Sequence, residues 1–221
     1  MDLLRGMIIK DLPVAAILLA SGFSKRFGGE NKLLFPFRGK PLARYTLELA
    51  VKIGFKGGIF FVTASDAVSA LACGFSGVQV IKNAAAEKGL RESVRLGVEA
   101  ADGAADAGGA PANVSPGALA VAAYYMFFVC DQPFLDEETV KRILDARQQG
   151  HIVEPHYRGR PGNPCLFCKS FKEELLSLEE GETPKLIKTR HRQAIKSVEV
   201  YNSMVLEDID DAQALERLLK L

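Results

Sequence analysis

The chain has 221 residues, 48% of them hydrophobic and 25% charged, with 28 basic residues against 27 acidic ones and a formal net charge of +1. Two independent cores would each fall near the small end of domain sizes, so a single domain spanning 1–221 is expected, and the balanced charge excludes a polybasic surface for nucleic acid or membrane. No apolar run reaches the roughly 20 residues of a membrane helix, and the opening MDLLRGMIIKDLPVAAILLASG lacks a secretory layout, so a cytoplasmic protein is expected.

In chain order, Val14 to Ala20 is a short apolar run that ends in SGFSKRFGG, the pattern of a buried parallel strand feeding a phosphate-sized loop. Pro41 to Ile53 carries apolar residues at helical spacing and ends before Gly54, which reads as a helix. Gly58 to Ala64 and Val78 to Ile81 read as strands, and Leu90 to Ala101 as a helix. The stretch 102–118 is rich in Gly, Ala and Pro and reads as a flexible surface loop.

A long apolar run, Leu119 to Cys130, stops at Asp131-Gln132-Pro133. Asp136 then has the chemistry of an N-cap for a helix to about Gln149, with Glu137 and Glu138 in its first turn. The last third reads as strands at Ile152–Pro155, Gly162–Phe167 and Ile195–Val200, and helices at Ser170–Leu178, Pro184–Thr189 and Ala212–Leu219. Alternation of this kind predicts an α/β fold, a Rossmann-like three-layer α/β/α arrangement around a mostly parallel sheet. Ligands of such sheets sit beyond the carboxyl ends of the strands, which is where the SGFSKRFGG loop and Asp131 both fall.

The first loop gathers glycines that admit a close anion and the cations Lys25, Arg26 and Lys32, yet it has neither GxxxxGK[ST] nor GxGxxG. Among the four cysteines, Cys73 and Cys130 stand in apolar surroundings that suit burial, and the Cys165/Cys168 pair reads as a core strand, because no second pair or histidine has zinc spacing. The three histidines, His151, His156 and His191, stand apart and take no role; no GxSxG is present either.

The segment ASGFSKRFGGENKLL resembles the LAAGxSxRMGxxNKLL signature of the molybdenum-cofactor nucleotidyltransferases, and is closest to the CTP:molybdopterin cytidylyltransferase branch. The resemblance continues in Gly89-Leu-Arg-Glu-Ser93 (GxxxS), Asp131-Gln-Pro-Phe-Leu135 (DQPxL), Gly162-Asn-Pro-Cys-Leu-Phe167 (GNPxLF) and Leu206 to Leu215 (LxDIDTPEDL). It implies a nucleotide-diphospho-sugar-transferase type of fold and a magnesium-dependent reaction, with manganese as an alternative, in which an acceptor phosphate attacks the α-phosphate of an NTP.

By the same resemblance Arg26, Lys32 and Asp131 are catalytic, and Leu19, Ala20, Ser21, Gly22, Gly89 and Ser93 join Arg26 and Lys32 in the nucleotide site. Asp131, Asp208 and Asp210 would hold the metal, and Gly162, Asn163 and Pro164 would face the acceptor. The implied substrates are CTP and the terminal phosphate of molybdopterin or its molybdenum form, with a molybdenum hydroxylase as a partner. Ser21 stands where cytidylyltransferases carry Ala and guanylyltransferases Gly, which leaves the donor base open. Glu180 to Lys185 replaces a GDxGAR-like segment, which leaves a sugar or alditol phosphate open as acceptor. A non-catalytic carrier of the molybdenum cofactor is the alternative from outside the enzyme class; the joint retention of Arg26, Lys32, Asp131 and Asp210 argues against it.

Overall fold

The computed structural model describes residues 13–22, 31–106, 120–209 and 212–219. The elements are β1 (Val14–Leu19), β2 (Pro36–Phe37), β3 (Lys40–Pro41), α1 (Leu42–Ile53), β4 (Ile59–Thr63), α2 (Asp66–Ser69), β5 (Val78–Lys82), α3 (Leu90–Asp106) and β6 (Tyr124–Val129). They continue with α4 (Glu137–Asp145), β7 (Ile152–Tyr157), β8 (Arg160–Pro161), β9 (Cys165–Cys168), α5 (Lys172–Leu176), α6 (Pro184–Arg190), β10 (Ile195–Glu199) and α7 (Ala212–Leu219).

The main sheet runs β10-β7-β9-β6-β1-β4-β5, with β8 paired to β7. β1 lies parallel between β4 and β6, and β4/β5 and β7/β10 are also parallel. Continuous apolar runs occupy the centre because a strand covered on both faces has no polar side. VAAILL, IFFVT and YYMFFV are accordingly buried almost throughout, whereas edge strand β5 alternates.

The two faces of β1 are told apart by Gly97 of α3, where a Cβ would stand 2.4 Å from Ile17 Cγ2 and 3.4 Å from Val62 Cγ2. Helix α3 therefore covers the Ile17/Leu19 face, and strand alternation sends Ala16 and Leu18 to the other side. Helix α1 buries Leu42, Ala43, Leu47 and Ala50 and ends on Gly54, whose φ of 71° suits glycine. Helix α4 starts on Asp136, whose side chain accepts from Thr139 N at 2.7 Å.

Several expectations need correction, among them the end of α4, which stops at Asp145 and not near Gln149 because Ala146 leaves the helical conformation. Residues 102–106 are the last turn of α3, not loop; the rest of 102–118 lies outside the described residues. The GNP segment is a turn, with a strand only from Cys165, and that strand runs antiparallel between β6 and β7. Helix α5 is shorter than Ser170–Leu178, because Lys169–Phe171 forms a 3-10 turn before it. Cys73 is exposed, since it follows the short 3-10 turn Ala70–Ala72 at the surface; Cys130, Cys165 and Cys168 are buried.

Candidate active site

Strands β1 and β6 are neighbours, with Leu19 level with Val129, so the loops leaving their carboxyl ends share one groove. A cavity of about 230 Å3 opens there, lined by Leu19, Ser21, Gly22, Lys32, Gly89, Ser93 and Asp131 among others. Ala20 is buried and is not among the lining; its backbone N–H donates to Val62 O at 2.8 Å. Ser21 is anchored beside it by its hydroxyl, which donates to Val62 O at 3.2 Å. Gly89 has φ 83° and ψ −165°, a region essentially reserved for glycine, and its turn starts α3 at the groove wall. One turn on, Ser93 Oγ accepts from Asn83 Nδ2 at 3.0 Å, and Asn83 Oδ1 caps Ala85 N at 3.1 Å.

Lys32 begins a 3-10 turn capped by Asn31, whose Oδ1 accepts from Leu33 N at 3.1 Å, and buried Leu33 ties that turn to the core. The lysine reaches across the groove so that its Nζ lies 2.6 Å from Asp131 Oδ2, with side chains only 13% and 16% exposed. The other carboxylate oxygen, Asp131 Oδ1, is buried and accepts no hydrogen bond among the described residues. A hard cation satisfies such an oxygen well, and magnesium usually takes only one or two protein carboxylates along with substrate phosphates. The donor set therefore fits a divalent ion. Among the described residues no group of three or more His, Cys, Asp or Glu that could hold a metal ion is present.

The far end of the chain is strapped onto this strand end. Ile209 N donates to Asp131 O at 3.1 Å, and Gln132 Nε2 donates both to Asp208 Oδ1 at 2.7 Å and to Val205 O at 3.1 Å. Asp208 thus arrives beside Asp131 from 77 positions along the sequence in number, through Gln132 rather than through a chain turn. Arg26, Lys25 and Asp210 lie outside the described residues.

A second cavity, of about 570 Å3, adjoins the first and shares Leu19, Leu90 and Val129 with it. Gly162 and Asn163 line it, whereas Pro164 is buried and does not. The turn is held by Gly162 N to Pro155 O at 2.8 Å and Asn163 N to Val205 O at 3.3 Å. Inside this cavity Glu154, 5% exposed, accepts from Lys188 Nζ at 2.7 Å and pairs with His156 Nε2 at 2.9 Å. Burial opposes ionisation of Glu154, but the bonds from Lys188 and His156 outweigh it and hold the carboxyl below its ordinary range.

Sequence reading missed Asn83, Gln132, Glu154 and Lys188. Asn83 and Gln132 carried a usable signal, a polar residue directly past a buried strand end; Glu154 sits as a carboxylate inside an apolar strand. Lys188 has none, because its partner is 34 residues away.

The chain is similar to several known proteins along nearly its whole length. A nicotine blue oxidoreductase of Paenarthrobacter nicotinovorans is 23% identical over 95% of this chain and 98% of its own. A molybdenum cofactor guanylyltransferase of Ralstonia pickettii is 22% identical over 93% and 95%. The crystal structure of Rv0371c from Mycobacterium tuberculosis superposes with a TM-score of 0.74 at 23% identity, covering 95% of this chain and 99% of that one. A manganese complex of the same mycobacterial protein gives 0.69 at 24% identity, over 94% and 98%. Residues 16–195, which run from β1 through the groove and the second cavity to the start of β10, match the MobA-like NTP transferase domain, and the chain belongs to that family of nucleotidyltransferases.

Proposed function

We propose that the chain transfers CMP from CTP to the terminal phosphate of molybdopterin or its molybdenum form and releases pyrophosphate. The observation that carries this reading is the Lys32–Asp131 pair across the strand-end groove, with Asp131 Oδ1 buried and unpartnered. An acceptor phosphate oxygen forms the new bond to the α-phosphorus, and the bond from that phosphorus to the bridging oxygen breaks. The electron pair leaves with pyrophosphate.

Both reactants are anions, so charge neutralisation and alignment are what the protein must supply. Lys32, with Arg26 of the same loop, receives the triphosphate and the charge that builds on the leaving group. Asp131, with Asp208 and Asp210, would hold a magnesium or manganese ion, which when bound supplies charge neutralisation on the transferring phosphate. Gln132 positions Asp208 toward that place. Leu19, Ser21, Gly22, Gly89 and Ser93 shape the nucleotide side, and the Gly162–Asn163 turn faces the acceptor side. The reading extends to a cytoplasmic enzyme with a molybdenum hydroxylase as partner; among the described residues no helix is long and apolar enough to cross a membrane.

Pyrophosphate release measured with CTP, GTP, ATP or UTP, each with molybdopterin and magnesium, tests the reading. Release with CTP that Asp131→Ala abolishes supports it. Release with GTP alone moves the donor to guanylyl transfer, the reading favoured by the Ralstonia relative. No release with any of the four overturns transfer to this acceptor.

A further inference from the structure

The second cavity has a chemical character of its own. One wall is apolar, formed by Phe127, Phe167 and Val129 of the sheet. The facing wall, from α6 and the turn after it, brings Lys185, Lys188 and Arg192, three cations set against the single carboxylate of Glu154. Lys185 and Arg192 are exposed and make no ion pair among the described residues. Lys188 is fixed in place by Glu154 at 2.7 Å and lies 3.6 Å from Cys165 Sγ. An ammonium offers three donors, so one stays available to the cavity.

Register gives the scale. Cys165 is level with Phe127 across the β6/β9 pair, and Asp131 lies four residues further along the same chain. At ~3.3 Å per strand residue the stretch from Phe127 to the strand end at Val129 spans about 7 Å, with Asp131 in the turn beyond it. Phe127 and Val129 alternate onto one face of β6 and both line this cavity, and Val129 also borders the first cavity, where Asp131 stands in the turn past the strand end.

We propose that this cavity is an anion subsite, with Lys188 as its fixed cation and Lys185 and Arg192 at its rim, and that it binds a second acidic group of the acceptor. The acceptor then carries, besides the phosphate that reacts near Asp131, a second anionic group that ends at Lys188. The subsite stands on the cavity itself; its assignment to the acceptor rests on the nucleotidyl-transfer reading.

The test is a titration of 15N-labelled protein with phenyl phosphate and, separately, inorganic phosphate, with and without saturating CTP and magnesium, followed by two-dimensional NMR. Saturable shifts at Cys165, Phe167 and Thr183, persisting with CTP bound and tighter for phenyl phosphate, are expected. Lys188→Met should weaken binding at least about tenfold, the size of one charge-assisted hydrogen bond. Because Lys188→Met strips Glu154 of a partner, the rim double variant Lys185→Met/Arg192→Met provides a second reading without touching that pair and should also weaken binding. Shifts confined to Ser93 and Asp131, no shifts at tens of millimolar, or unchanged binding in both variants would overturn the subsite. Equal affinity for the two probes would overturn the apolar wall as part of it. No turnover is involved, so cavity shifts without CTP binding would leave the subsite standing and remove the transfer reading instead.

Discussion

Gly162→Ala tests how the acceptor turn is tied to the end of the chain. A Cβ at Gly162 would stand 2.6 Å from Val205 O and 3.0 Å from Val205 Cγ2, and the first of these is backbone that cannot rotate away. That same carbonyl accepts from Asn163 N at 3.3 Å and Gln132 Nε2 at 3.1 Å. Overpacking costs typically ~1–3 kcal/mol. Displacing the carbonyl also weakens two hydrogen bonds of ~1 kcal/mol each, which gives a loss of about 2–5 kcal/mol in all. Urea unfolding should show a lower midpoint at constant m-value. Gly103→Ala is the control, since it lies in α3 with nothing within 4 Å of its added Cβ and should gain up to ~1 kcal/mol from helix propensity alone. A change of less than about 0.5 kcal/mol in Gly162→Ala would refute the strap, because surface substitutions stay within that range.

The other predictions concern the groove, a buried carboxylate and the thiols. Gly89→Ala meets no steric neighbour but imposes a backbone conformation costing ~1–3 kcal/mol, so the start of α3 should shift and nucleotide affinity should fall in a fluorescence or calorimetric titration. Glu154 has its folded pKa depressed below the ordinary 4.5, so its stabilisation is complete above that value and is lost as pH falls through the lower folded value. Glu154→Gln should therefore flatten the stability profile below about pH 5 in acid-unfolding curves; an unchanged slope there would count against the ion-paired arrangement. Of the four thiols, Cys73 alone is exposed and should react quickly with a thiol reagent, while Cys130 and Cys165, pushed up by burial, stay protected until unfolding.

What the sequence disclosed follows from which interactions are local. Buried central strands announce themselves because VAAILL and YYMFFV have no polar face to show, and α7 was legible to its end residues. That Asp131 follows a buried strand, and that Lys32 and Asp131 share one groove, was legible too, by chain order and by the family motifs. The β2/β3 pair and α2 were not, being two and four residues long, too short for any period to register. The reversed direction of β9 depends on the GNP turn tied to Val205, a contact between distant segments. Cys73 misled because an apolar neighbourhood in sequence, LACGF, became a surface turn in space. The Glu154–Lys188 pair was invisible for a related reason: a lysine among the basic residues of a short helix looks like solvated charge until the sheet is closed beneath it.

The central claim is that the groove at Lys32 and Asp131 grips a nucleoside triphosphate with a divalent ion. Calorimetric titration of the protein and of Asp131→Asn with CTP, each with and without magnesium, addresses it without needing the acceptor. The account predicts binding that is strengthened by magnesium in the wild type and loses at least about tenfold, along with that magnesium dependence, in Asp131→Asn. Binding that is indifferent to both the ion and the substitution would contradict it.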